Sequence, residues 1–229
     1  MAGIEPAPRG IVMTPGQLQI DLTAALIDRQ LLTHPFYRRW EAGTLGPNEL
    51  GAYAAQYRHF EEALPGILRV LLTRLEPGSA ADLVRRNLAD EESNPEPHVT
   101  MFAGFANAVG SLDTPPSDAT ESLLRTYRDL VASSAEEGLA AVVAYEMQAP
   151  AIAASKADGL RRNYGIDAQG TRFWDLHATM DDDHARWGIE ALAALDVPGS
   201  RLVDAARSAA DAWWAFLDER EVAATPLPV

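Results

Sequence analysis

The chain has 229 residues, a length that suits one large domain or two small ones. Its 33 acidic residues outnumber its 19 basic residues, and the formal net charge of -14 argues against non-specific binding to nucleic acid or to anionic membranes, which requires a basic surface. Cysteine is absent, which excludes thiolate catalysis, zinc–thiolate sites and disulfides.

The two ends of the chain differ from its middle. Residues 1–14 contain prolines and little periodicity, so we predict a flexible N-terminal arm, and residues 222–229 are predicted to form a frayed tail. No run of about 18 apolar residues occurs, and the first residues lack the pattern of a signal peptide. We therefore expect a cytoplasmic protein, with no membrane partner, whose residues 15–221 form one domain.

Within that domain, apolar residues recur at helical spacing in segments separated by proline, glycine and serine. Pro65 and Pro150 are expected to kink two of the longer segments. No segment alternates as a strand does, and no repeat is present, so we predict an all-α, single-domain bundle of about seven to nine helices. The predicted helices span residues 15–33, 35–42, 47–75, 80–92, 97–109, 118–133, 135–164, 171–195 and 200–220.

The most informative stretch is His177-Ala-Thr-Met-Asp181-Asp-Asp-His184, in the predicted helix 171–195. Residues i, i+4 and i+7 of an α-helix lie in one narrow stripe, because the helix has about 3.6 residues per turn. His177, Asp181 and His184 therefore point the same way. Imidazole and carboxylate together suit iron, manganese or zinc, so the stripe predicts half of a metal site.

Three residues on other predicted helices complete this site. Glu91 ends one helix and His98 begins the next, and the Pro-rich break between them allows both to face one point. Glu146 lies in an apolar stretch, where a carboxylate costs several kcal/mol unless it is paired or bound to metal. Six ligands exceed the three or four protein ligands of a zinc site and suit two carboxylate-bridged ions that activate oxygen.

Each ligand also has an ordinary interpretation. His98 alone would more often lie on the surface, and Glu146 alone could pair with an arginine. Asp182 and Asp183 are predicted to be solvated neighbours of Asp181.

Lys156 is the only lysine among the 19 basic residues. A genome that favours arginine codons explains most of this imbalance. A buried lysine can nevertheless become a neutral amine, whereas arginine cannot, so the single lysine is a modest indication of amine chemistry.

The order Glu-x6-His, then Tyr-Glu on a later helix, then His-x3-Asp-x2-His, resembles the haem-oxygenase-like di-iron oxidases and oxygenases. That family shares its fold with haem oxygenase, the thiamin-salvage hydrolases and the pyrroloquinoline quinone synthesis oxidase. The resemblance covers residues 34–184 and is greatest to the branch of the chlamydial protein associating with death domains. It implies two metal ions (Fe/Fe or Fe/Mn), O2 as cosubstrate and an external reductant. The implied ligands are Glu91, His98, Glu146, His177, Asp181 and His184.

Proteins of that branch form para-aminobenzoate by oxidative cleavage of one of their own tyrosines, with a lysine as the amine source. Carried onto this sequence, the resemblance implies that Tyr37 is the sacrificed ring and Lys156 the amine donor. Tyr53 and Tyr145 match further tyrosines of the branch. Lys156 follows Glu146 by ten residues, which places it about 80° away around a straight helix. Tyr37 could instead be an aromatic residue of the core.

Two other functions stay open at this point. A di-iron oxidase could act on an external fatty acid or amino acid, with Arg161, Arg162 or Arg172 available for a carboxylate. Alternatively, the bundle could serve as a non-catalytic interaction protein. Trp213, Trp214 and Phe216 on the last helix predict either core packing or the seam of a homodimer, with core packing favoured.

Overall fold

The computed structural model describes residues 13–93, 95–195 and 197–224, except for the side chains at positions 181, 182 and 224. Within these residues the chain is helical and contains no strand. Ten α-helices run in order, with two short 3-10 turns (27–29 and 31–33) between the first two. The helices are α1 (Pro15–Ala25), α2 (Pro35–Ala42), α3 (Pro47–Arg74), α4 (Ser79–Ser93), α5 (His98–Ala108), α6 (Asp118–Ser133), α7 (Ala135–Glu146), α8 (Ala149–Tyr164), α9 (Ala168–Ala193) and α10 (Gly199–Ala224).

The predicted all-α, single-domain bundle is confirmed, with one more helix than the upper estimate. The segment 135–164 forms two helices, α7 and α8, joined by Met147 and Gln148. Pro150 has no N–H to continue the hydrogen-bond ladder, and this explains why the helix breaks here. By contrast, α3 continues through Pro65. The predicted arm lies outside the described residues up to residue 12, and the predicted tail does so from residue 225.

Side chains that cap helix starts explain several of the observed boundaries. The hydroxyl of Ser134 accepts a hydrogen bond from the backbone N–H of Glu137 and so caps α7. Asp167 caps α9 by accepting from Gln169 and Gly170, which begins this helix three residues earlier than the periodicity predicts. Capping of this kind satisfies backbone donors that have no partner inside the helix.

Helix α9 lies at the centre of the bundle and contacts α1, α4, α5, α7 and α8. Its approach to α7 is close at Gly188. A Cβ atom added there would lie 2.3 Å from a methyl group of Val143, so a larger residue would push the two helices apart. This close packing brings Glu146, at the end of α7, beside α9.

Helix α10 covers α6 and α7 on one side of the bundle. Trp213 and Phe216 of this helix are fully buried, and Trp214 is partly exposed against His34. Two of the three aromatic residues therefore pack in the core, and the homodimer stays a prediction. No helix in the described part of the chain is sufficiently long and apolar to span a lipid bilayer.

Candidate metal centre

Three helices bring together three side chains that can bind a metal ion. Glu91 lies in the last turn of α4, His98 is the first residue of α5, and His177 lies in the middle of α9. One potential ligand atom from each side chain lies within 4.8 Å of the other two, and all three side chains are largely buried. A carboxylate and two imidazoles at this spacing form a possible site for a transition metal.

Hydrogen bonds orient the side chains of this cluster in a way that suits metal binding. His98 Nδ1 and Glu91 Oε2 are 2.9 Å apart, so the short break between α4 and α5 turns these residues toward one point. His177 Nδ1 lies 2.8 Å from the carbonyl oxygen of Phe173, to which it donates, and Nε2 then carries the lone pair for a metal. Burial alone would raise the pKa of Glu91, but the neighbouring histidines lower it below its ordinary value. The carboxylate is therefore anionic, as a metal ligand must be.

Two more of the predicted ligands line the same space. Glu146 Oε1 accepts a hydrogen bond of 2.6 Å from Asn87 Nδ2 of α4, which fixes the carboxylate. His184 Nε2 lies 3.3 Å from a carboxylate oxygen of Asp90. Both Glu146 and His184 are buried.

Of the three consecutive aspartates on α9, the structure describes the side chain of Asp183 only. The side chain of Asp181, the sixth predicted ligand, lies outside the described residues, as does that of Asp182. Asp183 is exposed and forms an ion pair of 2.7 Å with Arg186. Asp183 is thus a surface residue, as expected.

A cavity of about 20 Å³ adjoins these ligands. This volume is close to the room that one water molecule needs. Glu61 and Tyr57 of α3 line it from one side, and Ile152 of α8 from another. Its remaining lining residues are Leu64, Glu91, Tyr145, Glu146, Ala149, Ala153, Phe173, Trp174, His177 and His184.

Lys156 lies beside this cavity in a cage of aromatic rings. Its side-chain nitrogen is 3.9 Å from the ring centroid of Trp174, 4.6 Å from that of Tyr57 and 4.8 Å from that of Tyr37. The same nitrogen donates a hydrogen bond of 2.5 Å to the hydroxyl of Tyr53. Because α8 is a separate helix, Lys156 and Glu146 are not constrained by the 80° offset of a straight helix.

Each of the three predicted tyrosines is hydrogen-bonded to another tyrosine. The hydroxyls of Tyr37 and Tyr53 are 2.8 Å apart, and burial raises the pKa of both phenols above the ordinary value. The hydroxyl of Tyr145 is hydrogen-bonded to that of Tyr57. Tyr37 is fully buried and does not line the cavity itself, whereas Tyr57 and Trp174, whose rings also contact the Lys156 nitrogen, do line it.

Several residues of this region were not anticipated from the sequence. Glu61 is a buried carboxylate in the cavity wall, and Tyr57 lies one helical turn before it. The signal was present, because Tyr53, Tyr57, Glu61 and Leu64 repeat at helical spacing and Glu61 interrupts an apolar stripe. Asn87 and Asp90, which hold Glu146 and His184, gave no comparable signal, since they precede Glu91 on a helix rich in polar residues.

The three arginines considered for a substrate carboxylate lie elsewhere. Arg161 pairs with Asp175 and Arg172 with Glu96 at the surface. Arg162 pairs with Asp158 one turn before it. No arginine occurs among the described residues that line the cavity.

A substitution at Asn87 tests whether its hydrogen bond to Glu146 contributes to metal binding. Replacing Asn87 by Ala removes the donor that fixes Glu146, and loss of such a partner weakens metal binding by roughly 10–100-fold. We expect this decrease in the affinity for Fe(II), measured by anaerobic titration. Asn163→Ala is the matched control, because Asn163 donates to a backbone carbonyl at the surface. Equal affinities for Asn87→Ala and wild type would show that Asn87 does not support the site.

Comparison with known proteins identifies relatives over most of the chain. A family model described as "Iron-containing redox enzyme" matches residues 51–216. A protein of Nitrosomonas europaea named 4-aminobenzoate synthase is 36% identical over 209 residues, which are 83% of this chain and 85% of that protein. A protein of the same name from Chlamydia muridarum is 30% identical over 207 residues, covering 86% of this chain and 87% of the relative.

A solved structure shares the fold. A protein from Nostoc punctiforme, described as CADD-like and of unknown function, superposes with a TM-score of 0.77. The match covers 93% of this chain and 99% of that chain at 19% sequence identity. At this identity the likeness establishes the helical architecture alone.

Proposed function

The chain belongs to this family of iron-containing redox enzymes, and from that premise we propose that it forms para-aminobenzoate from its own side chains. In this proposal two metal ions, Fe/Fe or Fe/Mn, bind at the cluster of carboxylates and histidines. O2 is the cosubstrate and an external reductant supplies electrons. The 4-aminobenzoate synthases among its relatives support the product.

The donor set suits the metals that this chemistry requires. Glu91, His98 and His177 would hold one ion, and Glu146 and His184, which line the same cavity, offer further ligands. We carry Asp181 over as the sixth ligand from the sequence pattern. Two histidines with one carboxylate suit Fe(II), and further carboxylates also suit manganese. Metals bound there would activate O2, which supplies the oxidising power.

The size of the cavity favours an internal substrate over an external one. About 20 Å³ accommodates a water molecule or a diatomic gas, whereas ligand pockets for larger molecules span hundreds of Å³. An external fatty acid or amino acid would also need a partner for its carboxylate, and the described lining residues include no arginine. A substrate that is a side chain of the protein core needs neither room in the cavity nor a partner for a carboxylate.

The atoms of tyrosine fit those of the product. The ring and Cβ of Tyr37 supply all seven carbons of para-aminobenzoate. The Cα–Cβ bond breaks, with Cα kept in the main chain, and Cβ is oxidised to the carboxylate. The Lys156 nitrogen condenses with the oxidised ring, and the phenolic oxygen leaves as water. Two electrons from Lys156 Cε return the ring to the aromatic state, and hydrolysis of the resulting Cε=N bond releases the arylamine and leaves an aldehyde on Lys156. O2 is the oxidant, and the external reductant supplies the remaining electrons that reduce it to water. Each chain therefore makes one product molecule.

The contact between Lys156 and Tyr37 carries this proposal. The Lys156 nitrogen lies 4.8 Å from the Tyr37 ring centroid, and both side chains are fully buried. Burial lowers the pKa of the Lys156 amine well below its ordinary value, although the charge of Glu61 opposes this shift. A neutral amine is the nucleophilic form, so the site favours attack on an oxidised ring. Tyr53 holds this amine and the Tyr37 hydroxyl in one hydrogen-bonded chain.

The single lysine permits a sharp test. Protein is produced with lysine labelled by 15N at Nζ, so that Lys156 is its only labelled site. The purified, metal-free protein is loaded with Fe(II) under anaerobic conditions and then exposed to O2 with a reductant. Mass spectrometry is expected to detect para-aminobenzoate that carries 15N, and to detect loss of mass in the peptides that contain Tyr37 and Lys156.

The other outcomes separate the alternatives. Unlabelled para-aminobenzoate would exclude Lys156 as the donor. Consumption of O2 with intact Tyr37 would favour an external substrate, which candidate fatty acids and amino acids would then identify. No O2 consumption by the iron-loaded protein would favour the interaction protein, although such a protein has no need for buried ligands.

Lys156 also makes a prediction about stability. Its pKa is lower in the folded than in the unfolded chain, where it is near 10.5, so the unfolded chain binds more protons below that pH. Stability is therefore lost as the pH falls through the interval between the two values. We expect Lys156→Met to form no product and to be more stable than wild type at pH 7, with a difference that shrinks toward pH 10.

Urea unfolding at pH 7 and pH 10 measures this difference. Arg38→Met is a control, because Arg38 is exposed and donates only to a backbone carbonyl nearby. The expectation fails if Lys156→Met is less stable than wild type at pH 7, because Lys156 would then be stabilising in its charged form.

A further inference from the structure

The small cavity at the ligands raises the question of how O2 reaches it. Its described lining residues are nearly all buried. A gas that reacts there must cross the wall of the bundle. Glu146 and Ala149, on the two sides of the break between α7 and α8, line the cavity, so this break is part of the wall.

A surface pocket of about 220 Å³ lies on the outer side of this break. Met147 and Gln148 of the break form part of its lining, with Leu26 and Leu32 opposite them. Thr23, Gln30, Ala151 and Ile152 complete the lining. Most of these side chains present carbon to the pocket, and apolar cavities of this kind bind gases such as xenon.

Ile152 joins the two spaces. It lines the outer pocket and also the cavity at the ligands, and it is fully buried. Glu146 lines the cavity immediately before Met147 lines the pocket, so the chain passes from one space to the other within one residue. By contrast, a pocket between α3 and α6, lined in part by Ile67 and Ala132, shares no lining residue with the cavity.

The break is held in place from outside. The side-chain oxygen of Gln148 accepts a hydrogen bond of 2.8 Å from the backbone N–H of Leu31, in the second 3-10 turn. This contact joins the turn to the break beside the pocket. Ile152 is common to both linings, so rotation of its side chain would connect the pocket with the cavity.

We propose that the pocket at the α7–α8 break is the port through which O2 enters, with Ile152 as its inner gate. The inference rests on the proposed O2 chemistry but concerns a separate set of residues. Met147, Leu26 and Leu32 concentrate the apolar gas, and Ile152 admits it while excluding larger molecules and bulk water.

Ala151 allows the port to be closed without touching the metal ligands. It is exposed and lines the pocket, but it does not line the cavity. Ala151→Trp is expected to fill the pocket and to lower the second-order rate constant for oxidation of the reduced, iron-loaded protein by about tenfold, a barrier of about 1.4 kcal/mol. Ile152→Ala is expected to raise this rate constant. Stopped-flow absorbance at several O2 concentrations measures both.

Ala132→Trp is the matched control, because Ala132 is an exposed alanine in the pocket between α3 and α6. It is expected to react with O2 as wild type does. Equal rate constants for the Ala151→Trp and Ala132→Trp variants would overturn the port. Metal content and melting temperature are compared for all variants, so that a slower reaction cannot reflect lost metal.

Xenon provides a readout that needs neither metal nor turnover. The 129Xe chemical shift of xenon added to metal-free protein is expected to report a bound population that Ala151→Trp removes and Ala132→Trp retains. If Ala151→Trp leaves the xenon shift unchanged, the pocket is not a gas site. If wild type binds xenon there but consumes no O2, the proposed function is wrong. The pocket would then bind gas, but it would not be an O2 port.

Discussion

Replacing Tyr37 by Phe is expected to reduce para-aminobenzoate from about one molecule per chain to background. The substitution removes the para oxygen at which the proposed exchange of oxygen for nitrogen takes place. Its structural cost is small, because the ring remains and only the hydrogen bond to Tyr53 is lost, at about 1 kcal/mol. Single-turnover product analysis of the iron-loaded variant tests this.

Iron binding and O2 consumption are expected to be unchanged by this substitution. Tyr37 is not a predicted ligand and does not line the cavity, so Tyr37→Phe should bind iron and consume O2. Tyr127→Phe is the matched control, since Tyr127 is also fully buried and its hydroxyl is hydrogen-bonded to Trp213 and Ala141. It loses a buried hydroxyl elsewhere and should form product as wild type does.

Two results would contradict the assignment. Product from Tyr37→Phe at the wild-type yield would show that another ring is consumed, and Tyr53 would then be the candidate because it contacts Lys156 directly. Loss of product in Tyr127→Phe as well would show that the reaction depends on the core as a whole rather than on Tyr37.

The candidate metal ligands are the part of the site that local sequence pattern could predict. A helix converts a spacing of i, i+4 and i+7 into one stripe, so His177 and His184 could be aligned without a structure. Glu91 and His98 required one further step, that the prolines between them end one helix and begin the next. The structure places these four residues and Glu146 around one point, while the side chain of Asp181 lies outside the described residues.

The contact between Lys156 and Tyr37 could not be predicted in this way. The two residues lie 119 positions apart in sequence, and no helical spacing relates α2 to α8. Their proximity depends on tertiary packing, in which the indole N–H of Trp40 donates to the backbone carbonyl of Lys156 and joins the two helices. The resemblance to a known family indicated both residues, but the short distance between them is known only from the structure.

The burial of Glu61 was not predicted from the sequence for a different reason. From the sequence it is one of two adjacent acids, Glu61 and Glu62, and acids on helices are mostly exposed. The structure separates the pair, with Glu61 in the cavity wall and Glu62 at the surface. Which of two neighbours faces inward depends on the phase of the helix, and the stripe of Tyr53 and Tyr57 defines that phase once it is recognised.

The second large effect is expected from His177→Ala, which removes a ligand from the cluster of three. If the variant binds Fe(II) about 100-fold more weakly, metal at 100 times the wild-type dissociation constant stabilises wild type by about 2.7 kcal/mol and the variant by about 0.4 kcal/mol. For a domain of this size, about 2–4 °C of melting temperature corresponds to 1 kcal/mol. The metal-induced shift should therefore fall from roughly 5–10 °C to roughly 1–2 °C.

The shift on adding metal is the informative quantity, rather than the melting temperature itself. His177 also packs against the ring of Phe173, with centroids 4.1 Å apart, so its removal destabilises the metal-free protein for reasons unrelated to metal. Subtracting the metal-free melting temperature of each variant removes this contribution. His59→Ala is the control, because His59 bonds to the carbonyl of Thr114 away from the cluster, and it should keep the full shift. A full shift in His177→Ala, with one equivalent of iron retained by elemental analysis, would exclude His177 as a ligand and with it the cluster on which the proposed chemistry depends.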